Sequence, residues 1–167
     1  LGWTTNPNGT DTATTGQWAR ANPEATNANG AKQLGTTLSG VNDLATGPLA
    51  GSSAGVHDID GGTTSIQSPL ITLSGGTTYT LSFAFYLAHG SNSSTADFFR
   101  VKIVSGTTTT VLEELGAAND DDAFWMTATL DLSQFAGQTI RILIEAADAS
   151  GASLVEAGVD DVRITRQ

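Results

Sequence analysis

Cysteine is absent from this chain of 167 residues, so disulfides, zinc–thiolate sites and cysteine nucleophiles are excluded. Basic residues are scarce: 7 Lys and Arg face 17 Asp and Glu, which gives a formal net charge of −10. Binding to nucleic acid or to an anionic membrane surface depends on Lys and Arg, so neither is expected as a partner. No apolar run approaches the roughly 20 residues that span a bilayer, so we expect no membrane insertion.

The remaining composition predicts one secreted β domain. The length suits a single unit, residues 1–167, and the surface positions are filled by Thr, Ser, Gly and Asn, which is typical of exported bacterial proteins. The chain starts abruptly at Leu1, so we interpret it as a module of a longer secreted precursor. A monomer is expected.

Strand patterns dominate the chain after residue 64. Seven β-branched or aromatic runs are separated by Gly, Asn, Asp and Ser, at 65–73, 77–87, 97–104, 109–115, 125–132, 139–147 and 158–165. Alternation places Leu81, Phe83 and Phe85 on one face and Ser82, Ala84 and Tyr86 on the other. One helical turn is expected at 133–137 and another at 43–45. The pattern predicts an all-β, two-sheet antiparallel sandwich, a jelly roll.

Catalytic patterns are weak. Gly51–Gly55 matches G-x-S-x-G and would make Ser53 a nucleophile, but no helix is predicted after it, as that elbow requires. His57 and His89 are the only histidines, and both are interpreted as hydrogen-bonded loop residues. The neighbouring acids Glu113 and Glu114 point to opposite faces of a strand. A small jelly-roll hydrolase or lyase therefore stays only a minor alternative.

Acidic loops favour calcium, which takes six to eight oxygen ligands from flexible loops. Asp58 and Asp60 precede two glycines that permit a sharp turn, and Asp11 and Asp43 lie in other oxygen-rich loops. Adjacent Asp160 and Asp161 cannot both face solvent in a regular strand, where Asp160 would share the apolar face of Val162 and Ile164. A cation is the favoured partner of that buried acid; backbone N–H groups or an arginine are the alternative. The run Asp120–Asp122 is interpreted as a solvated loop.

Several motifs resemble known families. The ending Gly158–Ile164 (GVDDVRI) and the opening Gly2-Trp3 resemble bacterial carbohydrate-binding modules and related galactose-binding-like jelly rolls. The middle, with segments 58–69, 81–83 and 96–101, resembles MAM-like jelly-roll domains of secreted bacterial peptidases. This resemblance implies a non-catalytic accessory domain with structural Ca²⁺ near the two chain ends, where Asp160 or Asp161 is a ligand. The acid that partners them in the family precedes the opening Trp and is missing from this chain.

A sugar-binding role would need exposed aromatic rings beside fixed polar groups. The candidates are Trp18, Tyr86, Phe98 and Trp125, with Arg100, Asn92 and Gln67 as polar neighbours. The leading prediction is therefore a calcium-stabilised accessory module that binds polysaccharide. The alternative is a protease-associated or adhesion domain that binds protein.

Overall fold

A computed structural model describes residues 2–167 and contains thirteen strands and one short helix. The strands are β1 (Thr4–Thr5), β2 (Trp18–Ala21), β3 (Thr26–Asn27), β4 (Ala31–Gln33), β5 (Asp43–Thr46), β6 (Gly62–Gln67), β7 (Ile71–Thr72), β8 (Tyr79–His89), β9 (Phe98–Ser105), β10 (Thr107–Leu115), β11 (Met126–Asp131), β12 (Thr139–Asp148) and β13 (Val155–Arg166). A 3₁₀ helix spans Ser133–Phe135. Residues 2–167 contain no helix that is long and apolar enough to cross a membrane.

Two antiparallel sheets form the sandwich, as the alternation predicts. Sheet I has the order β1-β6-β12-β9-β10, with β7 added to β12, and sheet II has the order β11-β8-β13-β5-β2. The hairpin β3-β4 forms a separate two-stranded ribbon. The predicted jelly-roll architecture is confirmed.

The core lies between the inner faces of the two sheets. Phe85 of sheet II stacks on Phe99 of sheet I with ring centroids 5.0 Å apart, and Trp18 meets Phe99 edge-on at 6.4 Å. The alternating residues of β8 and β12 supply the aliphatic remainder, including Leu81 and Ile142. Burial of this apolar surface is the main stabilising contribution to the fold.

Two local predictions differ from the structure. Residues 43–45 form part of strand β5 instead of a helical turn, because they pair with β2 and β13 in sheet II. The predicted strand 65–73 is split into β6 and β7, and Pro69, which has no N–H to donate, lies in the gap. The helical turn predicted at 133–137 is confirmed by the 3₁₀ helix.

Candidate metal and ligand-binding sites

Three of the four predicted platform aromatics are buried and cannot stack on a sugar. Trp18 is 2% exposed because its strand turns it into the core. Tyr86 lies on an outer face, as predicted, and so does Phe98, yet they are only 1% and 8% exposed. The prediction that these rings form a binding platform is therefore wrong.

The β3-β4 hairpin explains why Tyr86 is buried. This hairpin and the residues after it cover the part of the outer face of sheet II around Tyr86, where Leu34 packs beside Tyr86 and Trp125. Lys32 is 0% exposed in the hairpin and donates through Nζ to the Asp121 carbonyl at 3.0 Å and to the Asp122 carboxylate at 2.9 Å. The Asp120–Asp122 loop is thus an anchor for Lys32 rather than a freely solvated loop.

Phe98 is covered by a charged side chain of its own strand. The Arg100 guanidinium lies 3.7 Å from the Phe98 ring centroid and pairs with Glu113 on the neighbouring strand. Beside them, Lys102 pairs with Glu145 at 2.6 Å. Arg100, which is predicted to contact sugar, is therefore held in cation–π and ionic contacts with protein groups on the outer face of sheet I.

Trp125 is the one predicted platform ring that stays partly exposed. It meets the Tyr86 ring edge-on with centroids 5.1 Å apart, and its Nε1–H donates to the Thr36 carbonyl at 3.3 Å. The preceding Phe124 is 57% exposed and was not identified in the sequence analysis. Asn92 is exposed on a distant loop, where its amide donates to the Ala152 carbonyl.

A shallow polar trough lies on the outer face of sheet II. Its cavity of about 170 Å³ is lined by Leu38, Ser82, Phe83, Ala84, Thr127, Asp161 and Arg163. The β11-β8-β13 register fixes its floor, because Thr127 pairs with Ala84 and Arg163 pairs with Ser82. Trp125 precedes β11 and lies beyond the trough on the same side of the sheet, because its ring contacts the outward-facing Tyr86.

An acidic pocket of about 340 Å³ adjoins the trough and brings together three predicted metal ligands. Its lining comprises Asp43, Asp160 and Asp161 with Trp3, Arg20, Ser39, Gly40, Val41, Asn42, Leu44, Val159 and Val162. Asp43 is 3% exposed, and neither of its carboxylate oxygens has a hydrogen-bond partner. Burial raises the pKa of Asp43 to about 7, and the nearby Asp160 carboxylate adds to the shift.

Asp160 has the backbone partners that the sequence left open as an alternative to a cation. One carboxylate oxygen accepts from the N–H groups of Leu38 and Ser39 at 2.8 and 2.9 Å, and the other accepts from Asp161 N–H at 2.7 Å. A β-bulge follows, at which Asp161 adopts a φ of 52°. Because the bulge shifts the alternation, Asp160 shares the outer face with Arg163, and the predicted shared face with Val162 and Ile164 is wrong.

The other predicted metal ligands lie elsewhere. Asp11 accepts from the N–H and hydroxyl of Ser65 at 2.7 and 2.5 Å, so it is a structural partner of β6. Asp58 and Asp60 lie in the segment just before β6, where Asp60 accepts from the Thr15 hydroxyl at 3.2 Å. Asp58 is 3% exposed, and its Oδ1 has no partner.

Glu156 is a buried acid whose pKa is strongly raised. Burial raises its pKa to about 9, repulsion from Asp58 adds to the rise, and a hydrogen bond from the Thr26 hydroxyl opposes it. Glu156 is 1% exposed because it lies on the face of β13 that the β3-β4 hairpin covers. The sequence analysis did not identify Glu156, because nothing in its own strand indicates that the hairpin folds over this part of sheet II.

Within residues 2–167, no three Asp, Glu or His side chains are placed to share one metal ion. A cation bound in the Asp43 pocket, or beside Asp58 and Asp60, would therefore take at most two carboxylates and complete its shell with carbonyl, hydroxyl or water oxygens, as Ca²⁺ commonly does.

The candidate catalytic residues of the sequence lie in ordinary structural surroundings. Ser53 lies in a turn with no helix after it, and His89 ends β8 with its Nδ1 3.2 Å from the Gly90 carbonyl.

Comparisons with known proteins identify similar folds. No protein-family model matches the sequence, and no curated protein shows a significant match. The K1 cleaved adhesin domain of Lys-gingipain from Porphyromonas gingivalis W83 is 17% identical, with a TM-score of 0.57 over 98% of this chain and 89% of that chain. The carbohydrate-binding module TmCBM61, solved with β-1,4-galactotriose, is 15% identical, with a TM-score of 0.54 over 99% and 88%. A promiscuous carbohydrate-binding module of the β-sandwich superfamily is 12% identical, with a TM-score of 0.56 over 98% and 57%.

Proposed function

We propose that this chain is a non-catalytic accessory module that binds polysaccharide through the trough on the outer face of sheet II. The observation that carries the proposal is that a partly exposed aromatic ring and several fixed polar groups lie on the same side of sheet II. Trp125 is half-buried against Tyr86 on this face, and the trough two residues further along the chain is lined by Arg163, Asp161, Ser82 and Thr127.

The chemistry of this face suits a neutral sugar chain. Pyranose rings stack on exposed aromatic surfaces, and their hydroxyls need polar partners held in place. The trough is held in place by sheet hydrogen bonds, and Asp161 is fixed by the Ser39 hydroxyl at 2.6 Å. A groove open at the surface accommodates an internal segment of a polysaccharide as well as its end.

The fold likeness supports a binding role. Carbohydrate-binding modules and a gingipain adhesin domain share this architecture, and one of them was solved with β-1,4-galactotriose. Extending their role to this chain is part of the proposal, and so is its placement in a secreted bacterial enzyme.

Ca²⁺ is proposed to stabilise the module at the Asp43 pocket. The residues fit the ion, because both oxygens of the buried Asp43 lack partners and Asp160 and Asp161 lie in the same pocket. Calcium takes oxygen ligands of this kind, and neighbouring backbone carbonyls and water would complete the shell. The ion would neutralise the repulsion between Asp43 and Asp160.

Affinity electrophoresis against a panel of soluble polysaccharides tests the proposal. At least one polysaccharide should retard the protein, and Arg163→Ala should weaken that retardation about tenfold, since it removes a charged hydrogen-bond donor. Arg100→Ala is the matched control, because Arg100 lies on the other sheet. Loss of binding in R100A with full binding in R163A would contradict the assigned face.

An adhesion domain that binds protein is the second candidate. The exposed apolar side chains of Leu38, Val41 and Phe124, which are 51%, 71% and 57% exposed, favour it. Polysaccharide binding that survives Phe124→Ala but not Arg163→Ala would favour the sugar-binding function over this one.

A further inference from the structure

The turn of the β3-β4 hairpin contains an Asn-Gly pair in an unusual backbone conformation. Residues 28–30 connect the two strands, and Asn29 is exposed within this turn. Asn29 has a φ of 56° and Gly30 has a φ of 132°, and positive values of this kind are adopted mainly by glycine and asparagine. The sequence analysis assigned no role to this pair.

The backbone nitrogen of Gly30 is free to react. Its N–H has no hydrogen-bond acceptor among residues 2–167. The turn itself is held by a hydrogen bond from the Ala28 N–H to the Gly30 carbonyl at 2.9 Å, which uses the oxygen of Gly30 and leaves its nitrogen unbonded. Because glycine has no Cβ, no side chain shields that nitrogen from the neighbouring Asn29 amide.

A second Asn-Gly pair in the same chain differs at this point. Asn8 and Gly9 are also exposed, in the loop between β1 and β2. The Gly9 N–H donates to the Asn6 carbonyl at 3.1 Å, so this hydrogen bond must break before the nitrogen can react. Breaking a hydrogen bond of ordinary net strength slows a reaction by roughly 2- to 10-fold. The same dipeptide should therefore react more slowly at Asn8 than at Asn29.

We propose that Asn29 is a site of spontaneous deamidation. The backbone nitrogen of Gly30 attacks the side-chain carbonyl carbon of Asn29 and forms a cyclic imide. The side-chain nitrogen leaves as ammonia, which carries away the proton that the Gly30 nitrogen loses. Water then opens the ring at either carbonyl and gives aspartate or isoaspartate at position 29. Water is the only co-reactant, and the reaction does not depend on sugar or metal binding.

The reaction adds a negative charge beside the acidic loop that anchors the hairpin. A Cβ on Gly30 would lie 1.9 Å from Asp122 Oδ1, so the turn packs directly against this carboxylate. The same oxygen accepts from Lys32 Nζ at 2.9 Å. A new carboxylate at position 29 repels Asp122, and isoaspartate also lengthens the backbone of the turn. Both products should therefore weaken the packing of the hairpin over Tyr86.

Peptide mapping by mass spectrometry after incubation at mildly alkaline pH tests the site. Asn29 should show the mass increase of an NH₂-to-OH exchange roughly 2- to 10-fold sooner than Asn8. In urea, where the Gly9 hydrogen bond is lost, the two pairs should react at similar rates. Folded protein in which Asn8 reacts as fast as Asn29 would overturn the proposal. A ratio that stays unchanged in urea would also overturn it, because the fold would then not be its cause.

Melting temperatures test the consequence for the hairpin. Asn29→Asp reproduces one product and should melt below wild type, whereas Asn8→Asp adds the same charge in the β1-β2 loop and should change the melting temperature less. Asn29→Gly removes the reactive amide and tolerates the positive φ, so it should melt near wild type and keep its melting temperature during the incubation. Equal melting temperatures for N29D and wild type would disprove the effect on the hairpin.

Discussion

Glu156→Gln should remove a large dependence of stability on pH. Glu156 ionises near pH 4.5 in the unfolded chain but has a pKa of about 9 in the folded protein. Between these values the folded state holds a proton that the unfolded state has released, so the free energy of unfolding falls as pH rises. The stabilisation is complete below pH 4.5 and is lost progressively up to about pH 9.

The magnitude follows from the two pKa values. Each pH unit in this window changes the free energy of unfolding by about 1.4 kcal/mol. A pH of 7 lies about 2.5 units above the unfolded-state pKa of 4.5. Glu156 therefore makes the free energy of unfolding of wild type about 3 kcal/mol lower at pH 7 than at acidic pH. A glutamine never ionises, and its carbonyl still accepts from the Thr26 hydroxyl.

Urea unfolding at pH 5, 7 and 8.5, with EDTA present, measures the effect. Wild type and E156Q should be similar at pH 5, and E156Q should become the more stable protein as pH rises. Glu114→Gln is the matched control, since Glu114 is exposed on the edge strand β10, and it should follow wild type at every pH. Parallel pH profiles for wild type and E156Q would refute the reasoning.

Two further variants test the packing on the outer face of sheet II. A Cβ on Gly158 would lie 2.2 Å from the Tyr86 ring, so Gly158→Ala should lose about 1–3 kcal/mol in urea unfolding, whereas Gly55→Ala, which meets no atom within 4 Å, should change little. Lys32→Met keeps most of the buried stem but removes two charged hydrogen bonds, so it should lower stability by about 2 kcal/mol. Unchanged stability in K32M would show that the Asp120–Asp122 loop does not anchor the hairpin.

The later strands were predictable because their alternation is local. The runs at 77–87 and 139–147 correspond to β8 and β12 within two residues at each end, since each strand has an apolar inner face of large side chains. The first 62 residues carry no such pattern. Their role depends on tertiary contacts, as when Lys32 is fixed by Asp122, a residue 90 positions away.

The candidate sites were only partly predictable for the same reason. Asp43, Asp160 and Asp161 were identified individually, but their shared pocket depends on sheet order and on a bulge that alternation does not indicate. Tyr86 was placed on the correct face, yet its burial by the β3-β4 hairpin has no signal in its own strand.

The central claim is that polysaccharide binds to the outer face of sheet II, and chemical-shift mapping tests it most directly. A polysaccharide fragment that binds should be titrated into ¹⁵N-labelled protein with Ca²⁺ present. We predict that the perturbed N–H signals are those of the Trp125 indole and of the backbone amides of Thr127 and Arg163. Perturbations centred on Arg100, Lys102 and Glu145 of sheet I would contradict the account.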